Sequence, residues 1–249
     1  MMHTTPTGNQ PAAAMLANVS RTMEAAMRIS ERAAHLPGLA VAYGPSGFGK
    51  SVAATVTMLQ QNAVYVECRS SWTKRDLVEA IAIELGITPL KRVSKTVEAV
   101  GEELARSRRL VIIDEADILV DKGHIEMVRE IHMTSDAPIM LIGEEALPAK
   151  LRRYERIHNR ILEWVPFARA SLEDARALAS IYGRGVTFAD DLLDRIVREC
   201  AGRVRRIVVN MDGIRSAAIR EGADVATLDW WGDRPLYTGE APSREGGRV

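Results

Sequence analysis

The stretch from Gly44 to Ser51 constrains this chain more than any other. It reads Gly-Pro-Ser-Gly-Phe-Gly-Lys-Ser and follows an apolar run, Leu39-Ala40-Val41-Ala42-Tyr43. Gly44, Gly49, Lys50 and Ser51 satisfy G-x-x-x-x-G-K-[ST], the spacing of a phosphate-binding loop. The chemistry requires this order. A strand delivers the chain into a tight turn, and glycines permit backbone angles that a Cβ forbids. Successive N–H groups then face an anion, with the positive end of the following helix behind them. Lys50 would reach the β- and γ-phosphates and the Ser51 hydroxyl would hold Mg²⁺. The flanks agree: residues 39–43 read as a buried strand and residues 52–60 as a helix. The cofactor-binding set is therefore Gly44, Pro45, Ser46, Gly47, Phe48, Gly49, Lys50, Ser51 and Val52, joined by Asp114 and Arg205 for reasons given below.

A second anchor is Leu110-Val111-Ile112-Ile113-Asp114-Glu115-Ala116-Asp117. Apolar residues running into paired carboxylates have the Walker B form. Asp114, with Ser51, would be the metal-side oxygen donor. Glu115 would orient and polarise an attacking water.

Around these anchors the pattern alternates. Residues 62–68 read as a strand, 77–85 as an amphipathic helix, 97–106 as a helix capped by Ser94 or Thr96, 125–135 as a helix and 138–143 as another buried strand. Asn18 or Ser20 would cap a lead-in helix running to about His35. Strands alternating with helices imply α/β architecture with a parallel sheet between helix layers. Ligands then sit at the carboxyl ends of the strands, where Gly44, Asp114 and Gly143 fall. From Ser171 the pattern is helical only, beginning with the capping signature Ser171-Leu172-Glu173-Asp174. The expected division is a loose N-terminal arm over residues 1–19, an α/β core over 20–166, a small all-helical lid over 167–228 and a tail over 229–249.

Composition narrows the classes. With 249 residues and 47% hydrophobic content, the chain can bury one large or two small cores. No run of about 18 apolar residues exists, and residues 1–10 lack a basic region followed by an apolar one. Cys68 and Cys200, the only cysteines, fit a reducing compartment. A cytoplasmic protein without membrane contact is expected. Lysines and arginines balance aspartates and glutamates at 33 each, so global charge offers no case for nucleic acid. Local charge does. Arg69, Lys74 and Arg75 cluster after the second strand with Trp72 among them, and Lys91, Arg92 and Lys95 follow. Such loops bind phosphate backbones without reading sequence. Trp72 would stack on a base or, more commonly, pack on a neighbouring helix.

The phosphate loop, the Asp-Glu-Ala-Asp strand and a late Gly202-Arg203-Val204-Arg205-Arg206 together resemble an AAA+ ATPase. More narrowly, the chain is similar to the phage Mu transposition protein B group and its transposon relatives, the target-selecting ATPases. That match rests on Val64-Tyr65-Val66-Glu67 with the basic loop and Leu77…Leu85-Gly86, on Val128-Arg129-Glu130-Ile131-His132, and on Pro138…Gly143-Glu144-Glu145 with Leu147, Leu151 and Arg160. It spans about residues 20–225. The resemblance implies ATP and Mg²⁺ as cofactors and ATP hydrolysis that is slow until DNA and a partner stimulate it. It implies a self-assembled helix or ring on double-stranded DNA, and delivery of target DNA to a cognate transposase. It makes Lys50 and Glu115 catalytic, Arg205 a lid arginine sensing the γ-phosphate, and Arg160, with Arg156 as substitute, a finger reaching a neighbouring subunit's nucleotide. It places DNA on Arg69, Lys74 and Arg75. One departure stands out. The position after the fourth strand is usually neutral and polar, yet here Glu144 follows Gly143, and a carboxylate facing a triphosphate would repel it. The other readings are an AAA+ switch acting on a protein partner, secretion-type or helicase-loader-like, and a small-molecule kinase. The Asp114-Glu115 pair and the separate lid weaken the last.

Overall fold

A computed structural model describes residues 16–240. In chain order its elements are α1 (Ala17–Ser30), β1 (Leu39–Tyr43), α2 (Lys50–Gln61), β2 (Val64–Glu67), α3 (Lys74–Glu84), α4 (Val93–Ser107) and β3 (Val111–Asp114). Then come α5 (Asp117–Asp121), α6 (Glu126–Ser135), β4 (Ile139–Gly143), α7 (Leu147–Leu151), α8 (Glu155–His158) and β5 (Ile161–Pro166). The remainder is α9 (Leu172–Tyr182), β6 (Thr187–Phe188), α10 (Asp190–Glu199), α11 (Val204–Glu221), β7 (Val225–Ala226) and α12 (Leu228–Trp231).

The first five strands form one parallel sheet in the order β2-β3-β4-β1-β5. Its central strands carry almost no polar residue, as a sheet covered on both faces requires. Side chains alternate between faces along each strand. Ala40, Ala42, Ile112, Met140 and Ile142 enter one core with α1 and α2, while Val41, Val66, Ile113, Leu141 and Leu39 enter the other with α3, α4 and α6. Ile113 is fully buried, and truncation to alanine there would cost about 2–5 kcal/mol.

β1 and β3 are not neighbours. β4 lies between them, in register with both: Val41 pairs with Leu141, and Leu141 with Ile113. The loops after β1 and β3 therefore leave the same end of the sheet on either side of the β4 terminus, which puts Gly44 and Asp114 at that end.

The chain beyond β5 is largely helical, and α9 begins on a reciprocal cap. Ser171 Oγ accepts from Asp174 N at 3.1 Å, and Asp174 Oδ2 accepts from Ser171 N at 2.8 Å. The other oxygen of Asp174 accepts from Ala17 N at 2.8 Å, which ties this region to α1.

Several expectations are corrected. Asn18 does not cap α1; it lies inside its first turn, buried, with Leu16 at the cap position, and the helix stops at Ser30 rather than His35. Ser94 and Thr96 lie within α4, which begins at Val93. α3 starts earlier than residue 77 because Thr73 and Asp76 cap each other reciprocally. The region expected to be all helix also holds a short parallel pair, Thr187–Phe188 with Val225–Ala226. The edge strand β5 is half-buried along most of its length and pairs with β1. Of the expected arm, residues 1–15 lie outside the described residues, and Ala17 to Val19 belong to α1. Residues 241–249 of the expected tail lie outside them too.

Candidate active site

The loop after β1 is shaped by two glycines. Gly47 has φ +85° and Gly49 has φ +91°, the left-handed region closed to most side chains. Gly49 is also the residue that leads into α2. Space is not the reason for glycine there: a Cβ on Gly49 would meet only the Val204 side chain at 3.8 Å. Among the described residues, the backbone N–H groups of Gly47, Phe48, Gly49, Lys50, Ser51 and Val52 have no acceptor in the protein. A helix start with a run of open donors fits an anion, and a phosphate chain would satisfy them.

Lys50 is only 8% exposed. Its Nζ donates to Gly44 O at 2.6 Å, Pro45 O at 3.2 Å and Glu144 Oε1 at 3.0 Å. Glu144 thus turns toward the phosphate loop rather than away from it.

Asp114 is 2% exposed at the end of β3. Tyr65 Oη donates to its Oδ2 at 3.1 Å and Glu115 N to its Oδ1 at 2.9 Å. Burial and then the Asp114 charge push the Tyr65 hydroxyl well above its ordinary value, so it stays a donor. Burial with the same carboxylates pushes the neighbouring Cys68 thiol up to about 12, which keeps it unreactive.

Glu115 adopts φ +54°, a conformation that costs a non-glycine residue of order 1–3 kcal/mol. The turn directs its side chain into the cleft. Burial, the Asp114 charge and the Glu144 charge raise its carboxyl above the usual range, with Lys50 opposing. A raised carboxylate is a better proton acceptor near neutral pH.

These groups line one cavity of about 330 Å³: Ser46, Gly47, Gly49, Lys50, Ser51 and Val52 from the loop and α2, Glu115 and Glu144 from the strand ends, and Tyr182, Val204, Arg205, Val208 and Val209 from α9 and α11. The lining is part charged and part apolar, which suits a nucleotide's phosphates and base. Ser51 lies exposed on the rim. Among the described residues no group of three or more His, Cys, Asp or Glu could cage a metal. That is compatible with Mg²⁺, which keeps waters and takes one or two protein oxygens beside substrate phosphates.

The sequence-predicted residues therefore divide. Lys50, Ser51, Glu115 and Arg205 meet in the cavity, with Asp114 buried behind Glu115. Gly44 and Pro45 act through carbonyls on Lys50, and the Phe48 ring is buried beside the Arg203 guanidinium, 5.9 Å from its centroid. Arg160 is elsewhere. It precedes β5, at the opposite end of the sheet, with its guanidinium on Arg156 O at 2.5 Å and Met133 Sδ at 3.0 Å. It cannot serve the cavity of its own chain. Arg69, Lys74 and Arg75 form a separate surface beyond β2. Lys122 Nζ donates to Ser70 O and, at 2.9 Å, to Trp72 O, which fixes that loop. Trp72 is half-buried and packs on the core, the commoner of its two expected roles.

Two contacts were hidden from sequence reasoning. Asn18, 7% exposed, donates from Nδ2 to Ala168 O at 2.8 Å and Phe48 O at 3.3 Å, and its Oδ1 accepts from Ala168 N at 3.0 Å. Arg203 donates to Ser46 O at 2.6 Å. Both clamp the phosphate loop from distant segments.

Residues 33–151 match the AAA domain family model. The chain superposes on the Orc2 protein of Aeropyrum pernix (ADPNP-ADP complexes) with TM-score 0.60 and 15% identity, covering 85% of this chain and 64% of that one. For the Orc1 protein of Aeropyrum pernix in complex with DNA the values are 0.57, 20%, 82% and 60%. For Cdc6p of Pyrobaculum aerophilum they are 0.61, 15%, 87% and 66%. The chain thus spans about three fifths to two thirds of the length of these structures. A comparison with curated proteins finds no match. The match to the AAA domain model covers a little under half of the chain, and the α/β fold, a five-stranded parallel sheet between helices, is the one seen in these AAA+ structures. Among the described residues no helix is long and apolar enough to cross a membrane.

Proposed function

We propose that this protein is an ATP- and Mg²⁺-dependent ATPase that assembles with copies of itself on double-stranded DNA, without strong base preference. We further propose that it selects or delivers target DNA for a transposase. The observation that carries the nucleotide reading is the convergence of open amide donors, Lys50, Glu115 and Arg205 on one half-apolar cavity.

A bound Mg²⁺–nucleotide supplies the phosphoanhydride that is cleaved. The amides of residues 47–52 and Lys50 bind its phosphates, and Val204, Val208 and Tyr182 offer the apolar wall. Ser51 and Asp114 supply metal-side oxygens. Glu115 orients water and takes its proton, helped by a carboxyl raised above the ordinary range. Arg205, carried by α11, reports the nucleotide to the lid. Arg160 sits too far from this cavity to act within one chain, which suits a finger for a neighbour's site and so links turnover to assembly.

Arg69 and Lys74, which have no ion pair among the described residues, support the DNA reading. So does the fold shared with Orc1, a protein solved in complex with DNA. The transposition reading rests on the sequence stretches that resemble the phage Mu transposition protein B group. Sedimentation and imaging of the protein with duplex DNA, Mg²⁺ and a non-hydrolysable ATP analogue test the proposal. Assemblies should form only with all three present. A protein that stays monomeric and off DNA at low salt overturns the DNA part. Stimulation of hydrolysis by a transposase, absent with transposase of an unrelated element, tests the last part.

A further inference from the structure

Glu144 is the one charged group of the cavity that the proposed chemistry leaves unused, and its position is built rather than incidental. Its backbone N–H donates to Asp117 Oδ2 at 2.6 Å. Asp117 is buried and pairs through Oδ1 with Lys150 at 3.3 Å. The approach is so close that a Cβ on Gly143 would collide with Asp117 Oδ2 and lie 2.7 Å from Leu147 Cδ2. The main chain at residue 144 is therefore held at the mouth of β4, and the half-exposed side chain reaches across to Lys50.

The consequence follows from donor arithmetic. An ammonium has three N–H groups. Those of Lys50 go to Gly44 O, Pro45 O and Glu144 Oε1. No donor remains for a phosphate until one of these contacts breaks. The two carbonyls belong to the loop itself, so the Glu144 contact is the one that gives way. Glu144 then remains in the cavity as an unpaired anion beside Glu115.

We propose that Glu144 sets the nucleotide preference of the site, lowering its affinity for a triphosphate relative to a diphosphate. This rests on the nucleotide reading above. The terminal phosphate competes with the carboxylate for Lys50 and brings extra negative charge, whereas a diphosphate brings less of both. A neutral amide at the same place would donate to phosphate instead of repelling it. Hydrogen bonds to charged groups are worth roughly tenfold or more in affinity.

The test is calorimetric titration of the full chain with ADPNP and with ADP, both with Mg²⁺, for the native protein, Glu144→Gln, Glu144→Asn and Lys50→Ala. The ADPNP-to-ADP affinity ratio should rise about tenfold in Glu144→Gln and in the same direction in Glu144→Asn. Both should fold, since the side chain is half exposed. If Lys50→Ala loses binding while both ratios stay within about twofold of native, the Glu144 proposal falls and the nucleotide reading stands. If the native protein binds neither nucleotide, or Lys50→Ala binds as well as native, both fall.

Discussion

Lys50 Nζ lies 3.0 Å from Glu144 Oε1, so the lysine of the phosphate loop is bound to the carboxylate that ends the strand beside it. These two residues are 94 positions apart. They meet because β4 pairs with β1 in register, Tyr43 opposite Gly143.

Lys50→Ala should weaken ATP binding by about 10- to 100-fold, the loss expected for one charge-assisted contact to phosphate. Equilibrium titration with a fluorescent ATP analogue measures it. The effect should exceed that of Lys150→Ala, whose ammonium pairs with Asp121 at 2.7 Å outside the cavity.

Glu115→Gln should stop hydrolysis while keeping nucleotide bound, so the assembled state persists. It should also stabilise the fold at neutral pH. Burial, Asp114 and Glu144 raise the Glu115 carboxyl above its ordinary value of 4.5. The folded chain therefore holds that proton more tightly than the unfolded chain. The favourable contribution is complete below the ordinary value and is lost as pH rises through the raised one. Above that window the ionised carboxylate is a burden, which glutamine removes. Melting followed by circular dichroism should show the variant higher by about 1–3 °C near pH 7.5, with the gap closing toward pH 4.

Both anchors of the site were legible in the sequence, for a physical reason. A phosphate-loop pattern is glycines and a lysine at fixed local spacing, and the paired carboxylates Asp114 and Glu115 follow directly on a buried apolar strand. Central strands were legible because β1, β3 and β4 are unbroken apolar runs. β5 was not, because an edge strand of Ile-Leu-Glu-Trp-Val-Pro is only half covered and shows no clean period. Helix starts failed where tertiary burial competes with capping: Asn18 has a good capping side chain, yet it spends that side chain on Ala168 and Phe48. Glu144 was visible as an anomaly, but its partner was not, since nothing local links it to Lys50.

Asn18→Ala should destabilise the protein and loosen the phosphate loop together. Its amide satisfies both the N–H and the carbonyl of Ala168 and also reaches Phe48 O. Leaving these groups unpaired in a buried place costs about 1–3 kcal/mol. For a domain of this size that is a fall in Tm of roughly 2–10 °C. Saturating nucleotide should restore part of it, because ligand binds only the folded loop. Melting curves with and without ADP measure both effects, and a variant that melts like the native protein would remove Asn18 from the clamp.

Charge on the surface beyond β2 should appear in the salt dependence of DNA binding rather than in base preference. Arg69 and Lys74 have no ion pair among the described residues, whereas Arg75 Nε is 2.6 Å from Glu79 Oε1. His124, close by, is held below its ordinary value by burial and then by Lys74 and Lys122, so positive charge is concentrated there. Each cation that contacts a phosphate of duplex DNA contributes about 0.9 to the slope of log K against log salt. Arg69→Ala and Lys74→Ala should each flatten that slope by about this amount, equally for duplexes of unrelated sequence. Arg75→Ala should change it less, because the lost charge was already balanced by Glu79. Fluorescence anisotropy across a salt series, with Mg²⁺ and a non-hydrolysable ATP analogue, gives the slopes. Unchanged slopes in Arg69→Ala and Lys74→Ala would move the DNA to another face of the protein, and the cation-rich stretch from Lys150 to Arg160 would be the next to test by the same measurement.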